Sequence, residues 1–473
     1  DFNRDRLLYH MYSTTGPHMA VGDVNNDQLD DFYLGGAKGF AGQLFVQQPD
    51  GTFIKMQVPV FDQHKNHEDV DAVFFDFDND GALDLFVVSG GNEFSFGAPE
   101  LTNRLYLNDG HGQFSNSPQS ALNSSGLVYS TAAAADFNKD GFTDLFIGSR
   151  FKAFQYGSPG GGFIFQNDKT GRLRDVTQQV APELSALGMI TDSEWIDYDL
   201  DGDPDLIITG EWMTIELFEN RQGIFKRQTS AAGLTNLTGW WNVLKAADLD
   251  KDGDMDLVIG NHGFNSRFKA SEKEPVLLYV NDFDANGSLE HIYAKQTGSK
   301  ILPYPLKHDL VAQLPSLKKN YLEYKKFNNQ TVDEIFTQEQ LRTAVKFRAV
   351  QLASGILENI NGRFIFHELP IEAQFSPVYS ILITDVNHDG IDDLVLGGNF
   401  YQVKPEAGQY DASYGLVLSG IGNCKYIPLP PTVSGFQVKG AIRDIIPVQT
   451  LSSALTLVAL NNDTLKVFQM TSK

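Results

Sequence analysis

Apolar residues in this chain come in short runs bounded by turn residues. Over the first 60 residues the pattern predicts strands at 18–23, 31–35, 42–48 and 52–56, with a turn at Pro49-Asp50-Gly51. The four-strand rhythm returns at about 70–115, 129–177, 190–228, 241–296 and 378–428. Asn108-Asp109-Gly110 is a hairpin signal inside the second unit. The tail offers three more strands, 441–448, 453–460 and 464–469. Residues 1–16 are a lead-in, in which Leu7 to Tyr9 suit pairing with another strand. The predicted class is all-β.

An acidic loop lies between the first and second strand of each unit. In DFDNDGALD, Asp76, Asp78, Asp80 and Asp84 occupy loop positions 1, 3, 5 and 9, and Gly81 occupies position 6. Carboxylates at alternate positions of a tight loop converge on one point, and hard oxygen ligands at that density suit Ca²⁺. Gly81 permits the sharp turn. An EF-hand would continue into a helix and place a Glu at position 12. Here position 12 is Val87, within an apolar run, so the loop closes a strand hairpin.

Five more full copies follow the same spacing. They are Asp23, Asn25, Asp27 and Asp31; Asp136, Asn138, Asp140 and Asp144; Asp197, Asp199, Asp201 and Asp205; Asp248, Asp250, Asp252 and Asp256; and Asp385, Asn387, Asp389 and Asp393. A weaker copy holds Asp282, Asp284, Asn286 and Glu290. The expected cofactor is therefore Ca²⁺, six ions or seven with the weak copy. In the first copy Gln28 stands where the others have Gly, which marks it as the weakest of the six. Full copies start 53, 60, 61 and 51 residues apart as far as Asp248. Repetition at such a period is the signature of a repeat array.

The repeated loop resembles the FG-GAP or VCBS repeat of integrin α-subunit propellers and of bacterial surface proteins. Segments 239–266 and 369–390 look like the cartilage-acidic-protein-like branch found in bacteria. The resemblance implies a β-propeller with calcium in its hairpin loops. Seven blades are expected, the tail forming the last and the N-terminal strand completing it; eight result if a hairpin at 354–368, turning at Asn361-Gly362, makes its own blade.

The period breaks between Asp248 and Asp385, 137 residues apart. Residues 303–348 read as helical, with a capping box at Thr331–Glu334 and Val332, Ile335 and Phe336 at helical spacing. The segment is basic, with Lys318, Lys319, Lys325 and Lys326 around Tyr321 and Tyr324. The expected division is 1–302 for blades one to five, 303–377 for the helical insertion and hairpin, and 378–473 for the closing blades.

Composition narrows the class of partner. The formal charge is −23, which argues against nucleic acid, whose binders carry basic faces. Bound divalent cations would offset more than half of that charge. Cys424 is the single cysteine, so no intrachain disulfide can form. Metal staples are the expected substitute in an oxidising, calcium-rich space. No run approaches the ~18 apolar residues of a membrane span. The chain shows no signal peptide and starts at Asp1, so a processed or truncated N-terminus is expected, with a lipid anchor upstream as one form of it.

Catalytic motifs are not evident: there is no GxSxG elbow, HExxH, P-loop or Cys nucleophile setting. The paired carboxylates are spaced for an ion, and a glycosidase pair must instead flank a substrate. The long connections 91–103, 149–162, 261–275 and 399–412 emerge on the rim opposite the acidic loops. They offer Asn92, Glu93, Arg150, His262, Asn265, Arg267, Tyr401, Tyr410 and Asp411 as a ligand surface. Trp212, Trp240 and Trp241 suit core packing better than sugar stacking. The expected protein is not an enzyme. It is an extracytoplasmic binding or scaffold subunit, which the resemblance places at a bacterial surface or outer membrane with a protein partner. The alternatives are a lectin-like glycan binder and, behind it, a polysaccharide-degrading enzyme.

Overall fold

The computed structural model describes residues 1–119, 122, 126–451 and 453–469. Among these residues the strands form eight antiparallel sheets. Seven sheets start with Met19–Gly22, Asp69–Phe75, Leu127–Ala135, Met189–Ile196, Val243–Ala247, Val378–Thr384 and Ile442–Gln449. These first strands neighbour one another in chain order, and the last returns to the first, so the seven sheets form a closed ring around a central channel.

The second strands explain the packing. Asp84–Ser89 is buried along its whole length. Its side chains alternate between the two sides of the sheet. Leu85 and Val87 face Tyr33 and Leu44 of the sheet before. Phe86 and Val88 face Tyr129, Leu145 and Ile147 of the sheet after. Phe146, Ile207, Val258 and Val395 repeat the arrangement around the ring. A strand covered on both faces reads as a continuous apolar run, and each large aliphatic side chain buried this way contributes about 1.5–3 kcal/mol.

The ring closes where Met19 and Phe32 meet Val448 and Leu457. The closing sheet has three strands among the described residues, ending with Lys466–Gln469. The lead-in does not add a fourth. Leu7, Leu8 and Tyr9 are all buried and belong to no strand. Three consecutive buried side chains do not alternate, so the segment crosses the rim as a plug, with Leu8 and Tyr9 packed among Trp212, Trp240, Phe268 and Tyr293.

The unit expected at 241–296 is interrupted. After Asp256–Gly260 the fifth sheet is completed by Gly355–Asn359 and Phe364–Glu368, with Leu257 opposite Leu357 and Ile259 opposite Gly355. The hairpin at 354–368 therefore belongs to the fifth sheet of the ring, neither to the 303–377 segment nor to a sheet of its own. Its turn residues Asn361 and Gly362 both hold positive φ, as a tight hairpin requires. The chain between Gly260 and Gly355 builds the eighth sheet, from Val276–Asn281, Glu290–Thr297, Lys300–Pro303 and Val345–Ala349. Lys307–Gln313, Tyr324–Phe327, Val332–Ile335 and Gln338–Thr343 are short helices lying on it. The capping box at Thr331 and Glu334 is present, and Thr337 with Gln340 forms a second. Leu310, Leu314, Val332, Ile335 and Phe336 cover Tyr279, Phe283 and Ile292 of the sheet. The weak acidic loop, Asp282 to Glu290, joins two strands of this eighth sheet and so lies outside the ring.

Candidate metal centres and the covered rim

Each acidic loop is shaped by its own carboxylates. The position-1 side chain accepts from the amide of position 6 in all seven loops, as in Gly81 N to Asp76 Oδ2 at 3.0 Å. The position-5 side chain accepts from the amide of position 7, as in Ala82 N to Asp80 Oδ1 at 2.8 Å. Position 4 is left-handed in every loop: Asn26, Asn79, Lys139, Leu200, Lys251, Ala285 and His388 all lie at φ 56° to 65°.

The position-9 carboxylate is the buried one. Asp84 Oδ2 accepts from Phe77 N at 3.0 Å and its Oδ1 from Asn108 N at 2.8 Å, tying the loop to the third strand. Asp31, Asp205, Asp256 and Asp393 make the same pair of contacts. Burial pushes the carboxyl groups of Asp31, Asp84, Asp144 and Asp205 up to about 7. A carboxylate fixed by two amides in a buried position favours a cation beside it.

Positions 1, 3 and 9 come together in four loops. Asp76, Asp78 and Asp84 each bring an oxygen to within 4.8 Å of the others, as do Asp197, Asp199 and Asp205, then Asp248, Asp250 and Asp256, then Asp282, Asp284 and Glu290. Position 5, expected as a fourth ligand, stays outside three of these groups: Asp80, Asp201 and Asp252 are turned to the loop amides. Where position 3 is asparagine, its side-chain oxygen accepts from the position-5 amide, for Asn25, Asn138 and Asn387 at 3.1, 3.0 and 2.8 Å. Asp197 Oδ1, Asp248 Oδ1 and Asp284 Oδ1 are buried and accept no hydrogen bond within the described protein. Orphaned carboxylate oxygens grouped this way fit a hard divalent cation.

The sequence reading missed a second system, which joins the loops around the ring. Asn108 Nδ2 donates to Val24 O at 2.8 Å, Asn167 to Phe77 O at 2.7 Å, Asn220 to Phe137 O at 2.7 Å and Asn359 to Tyr198 O at 3.0 Å. Asn108, Asn167 and Asn359 end a third strand and Asn220 stands one residue before the end of another, and each reaches position 2 of the preceding sheet's loop. Its signal was a recurring Asn before the outer turn. In the sixth sheet Cys424 Sγ approaches Asp256 Oδ2 instead, at 3.6 Å.

The opposite rim differs from expectation. Asn92, His262 and Tyr410 are buried, and Arg150 pairs with Glu211 at 2.5 Å beneath Tyr12. Trp212, Trp240 and Trp241 are buried as core. The plug and the insertion cover these residues because the loops carry apolar neighbours, among them Phe94, Phe151 and Phe268, that need burial. Asn265 and Asp411 of the expected surface stay exposed, Glu93, Arg267 and Tyr401 are half-buried, and a groove of about 850 Å³ opens on the insertion. Arg267, Lys295, Lys307 and Lys325 line it with Tyr304 and Tyr324, and no carboxylate does. Tyr324 is 65% exposed with the Lys307 ammonium 4.5 Å from its ring, and Leu322 beside it is 70% exposed.

Comparison with known proteins finds repeat matches over part of the chain. The FG-GAP-like repeat matches residues 23–87, 76–147 and 197–259, and the FG-GAP repeat matches 128–171. No curated protein matches the sequence. Similar solved structures include Sqt1 of Saccharomyces cerevisiae, at 13% identity over 99% of this chain and 100% of that one, with a TM-score of 0.44. The Dos1 propeller is 10% identical over 98% and 95%, with a TM-score of 0.42. The biofilm matrix protein Bap1 of V. cholerae is 11% identical over 98% and 89%, with a TM-score of 0.39. No helix among the described residues is long and apolar enough to cross a membrane.

Proposed function

We propose that this chain, which carries matches to FG-GAP repeats, is a β-propeller acting as an extracytoplasmic binding scaffold stapled by calcium rather than an enzyme. The seven-sheet ring is its rigid body, a seven-bladed propeller. Calcium in the six full loops, through positions 1, 3 and 9 with position 5 recruited on binding, holds each hairpin closed. The weak loop would hold a seventh ion in the insertion. The working surface is the insertion groove, and the partner is a protein presenting an acidic segment at a cell surface or outer membrane.

The observation that carries this reading is the charge of the groove. Arg267 and Lys307 also pack on tyrosine rings, but four cations gathered on a lining without a carboxylate stand out in a chain of net charge −23. Oppositely charged patches steer encounter and fix register, and exposed aromatics beside them supply contact area.

The test is capture from native membranes with mass spectrometry, using the calcium-loaded protein and its Lys307→Glu/Lys325→Glu variant. We expect one membrane protein to be retained by the first and lost by the second, with the thermal melt unchanged and binding weakened by salt. Equal capture by the variant would remove the groove as the working surface. Selective binding on a glycan array, abolished by the same substitutions, would replace the protein partner with an anionic glycan.

A further inference from the structure

The central channel holds a group that the fold does not require. Five first strands carry a bulge at the same level, between Asp69 and Asp71, Tyr129 and Thr131, Ile190 and Asp192, Val378 and Ser380, and Ile442 and Asp444. The extra residues are Val70, Ser130, Thr191, Tyr379 and Arg443, and all five line the channel cavity of about 270 Å³. A bulge re-aims a side chain. At four of these places a neutral residue suffices, so the ring closes without a cation there.

Arg443 is 1% exposed and forms no ion pair among the described residues. Its Nη1 donates to Asn399 O at 2.9 Å and to Ile442 O at 3.1 Å. Its Nε and Nη2 are buried with no partner. Those two nitrogens form one edge of the guanidinium, the fork that binds a carboxylate or phosphate with two parallel hydrogen bonds. Tyr379 and Phe400 lie under the cation at 4.7 and 5.2 Å, which compensates a buried charge only in part. Burial, with Arg150 nearby, pulls this guanidinium down to about 10.

The other charges of the channel are already engaged. Arg150 is matched by Glu211. Asp71, Asp192 and Asp444 accept from the amides of Ala132, Leu244 and Met19 on adjacent first strands, at 2.9, 2.9 and 2.8 Å. Lys245 stands in the field of Glu194, Asp192, Asp444 and Asp71. His10, at the plugged end, is kept neutral by burial, which holds it down to about 3. The cation left without a counter-charge is Arg443.

We propose that the plugged end of the channel is a binding site for a small oxyanion, a carboxylate or phosphate group held on the Nε–Nη2 edge of Arg443, whose guanidinium face rests on Tyr379 and Phe400. The cavity has room for a single small molecule, not for a polymer, so this site is distinct from the insertion groove.

The experiment is a titration of the whole calcium-loaded protein with acetate, with sulfate as the tetrahedral stand-in for phosphate, and with chloride as control, at matched ionic strength. The readout is the melting temperature, and calorimetry checks it. A saturable rise with acetate identifies a carboxylate site, and one with sulfate a phosphate-type site; chloride should give none. Arg443→Met should abolish the rise while keeping the calcium-dependent melt. Arg443→Lys, which keeps the charge but loses the fork, should weaken binding at least tenfold. No saturable rise for either oxyanion, or a rise undiminished in Arg443→Met, would overturn the proposal. Should the variants not fold, a crystal of the unaltered protein grown in selenate decides: an anomalous peak beside Arg443 supports the site, and a channel without one refutes it.

Discussion

Gln28 holds φ at 69°, where the other six loops place a glycine at 83° to 102°. An L side chain in the left-handed region costs roughly 1–2 kcal/mol, part of which a glycine gives back as unfolded-chain entropy. Gln28→Gly should therefore stabilise the protein by about 1 kcal/mol, read as a higher denaturant midpoint at unchanged slope. The amide that donates to Asp23 Oδ2 is kept, so the loop contact survives the change. A lowered midpoint would mean that the glutamine side chain makes a compensating contact. Glu68 makes a second residue-scale case. Burial, with Glu93 and Asp69 nearby, raises its carboxyl to about 8 against the Lys38 amide that it accepts. The ordinary glutamate value is about 4.3. The folded state thus holds the proton more tightly than the unfolded one. The stability this contributes is fully present below about 4.3 and is lost as pH rises through about 8, on the order of 1 kcal/mol per pH unit crossed. Glu68→Gln has no proton to lose, so its stability relative to the parent should grow from pH 5 to pH 8. A difference independent of pH would show that Glu68 is charged in the fold.

The repeated acidic loop and the strands on either side of it were legible along the chain, because both depend on local spacing. Position 9 follows position 1 within a single hairpin, and its burial follows from the apolar run behind it. What could not be read was the partner of a distant strand. Asp256–Gly260 pairs with Gly355–Asn359 across 94 intervening residues, and the weak loop at Asp282 imitated the next unit in the gap. The covered rim was equally hidden, because Arg150 and His262 look like surface residues until the plug is placed over them. The asparagine pins lie between these cases: the residue recurs, but its acceptor belongs to another sheet. Asn220 donates to Phe137 O and Pro204 O and accepts from Gly223 N at 2.7 Å. Asn220→Ala leaves these buried groups unpaired, at about 1–3 kcal/mol each before relaxation. We expect a loss of roughly 2–4 kcal/mol in denaturant unfolding, similar with calcium and with chelator. A loss seen only in calcium would tie the pin to metal binding instead of to the joint between sheets.

At the scale of the whole molecule, six full acidic loops crowd one rim of the ring, each with a half-buried carboxylate at position 1 and a buried one at position 9. Without cations these groups cost desolvation and repel one another, which is why Asp31, Asp84, Asp144 and Asp205 are pushed up to about 7. A cation that binds the folded loop and not the unfolded chain stabilises by mass action, by ~2.7 kcal/mol per site at a hundredfold excess over its dissociation constant. Chelation should therefore lower the melting temperature in proportion to the number of loops emptied. The ring itself should persist, since the sheet cores and the asparagine pins do not include the metal. The repulsion left behind acts over distances that salt screens, about 10 Å at 0.1 M. Raising the ionic strength of the chelated protein from low salt to 0.5 M should then recover part of the lost melting temperature, and the calcium-loaded protein should respond much less. Calorimetry in calcium and in chelator at both salt levels tests the two halves together. A melt indifferent to chelator would remove calcium as the staple. A chelator effect that salt does not relieve would place the metal's contribution in ordering the loop backbone, through contacts such as Asp80 to Ala82, and not in cancelling charge.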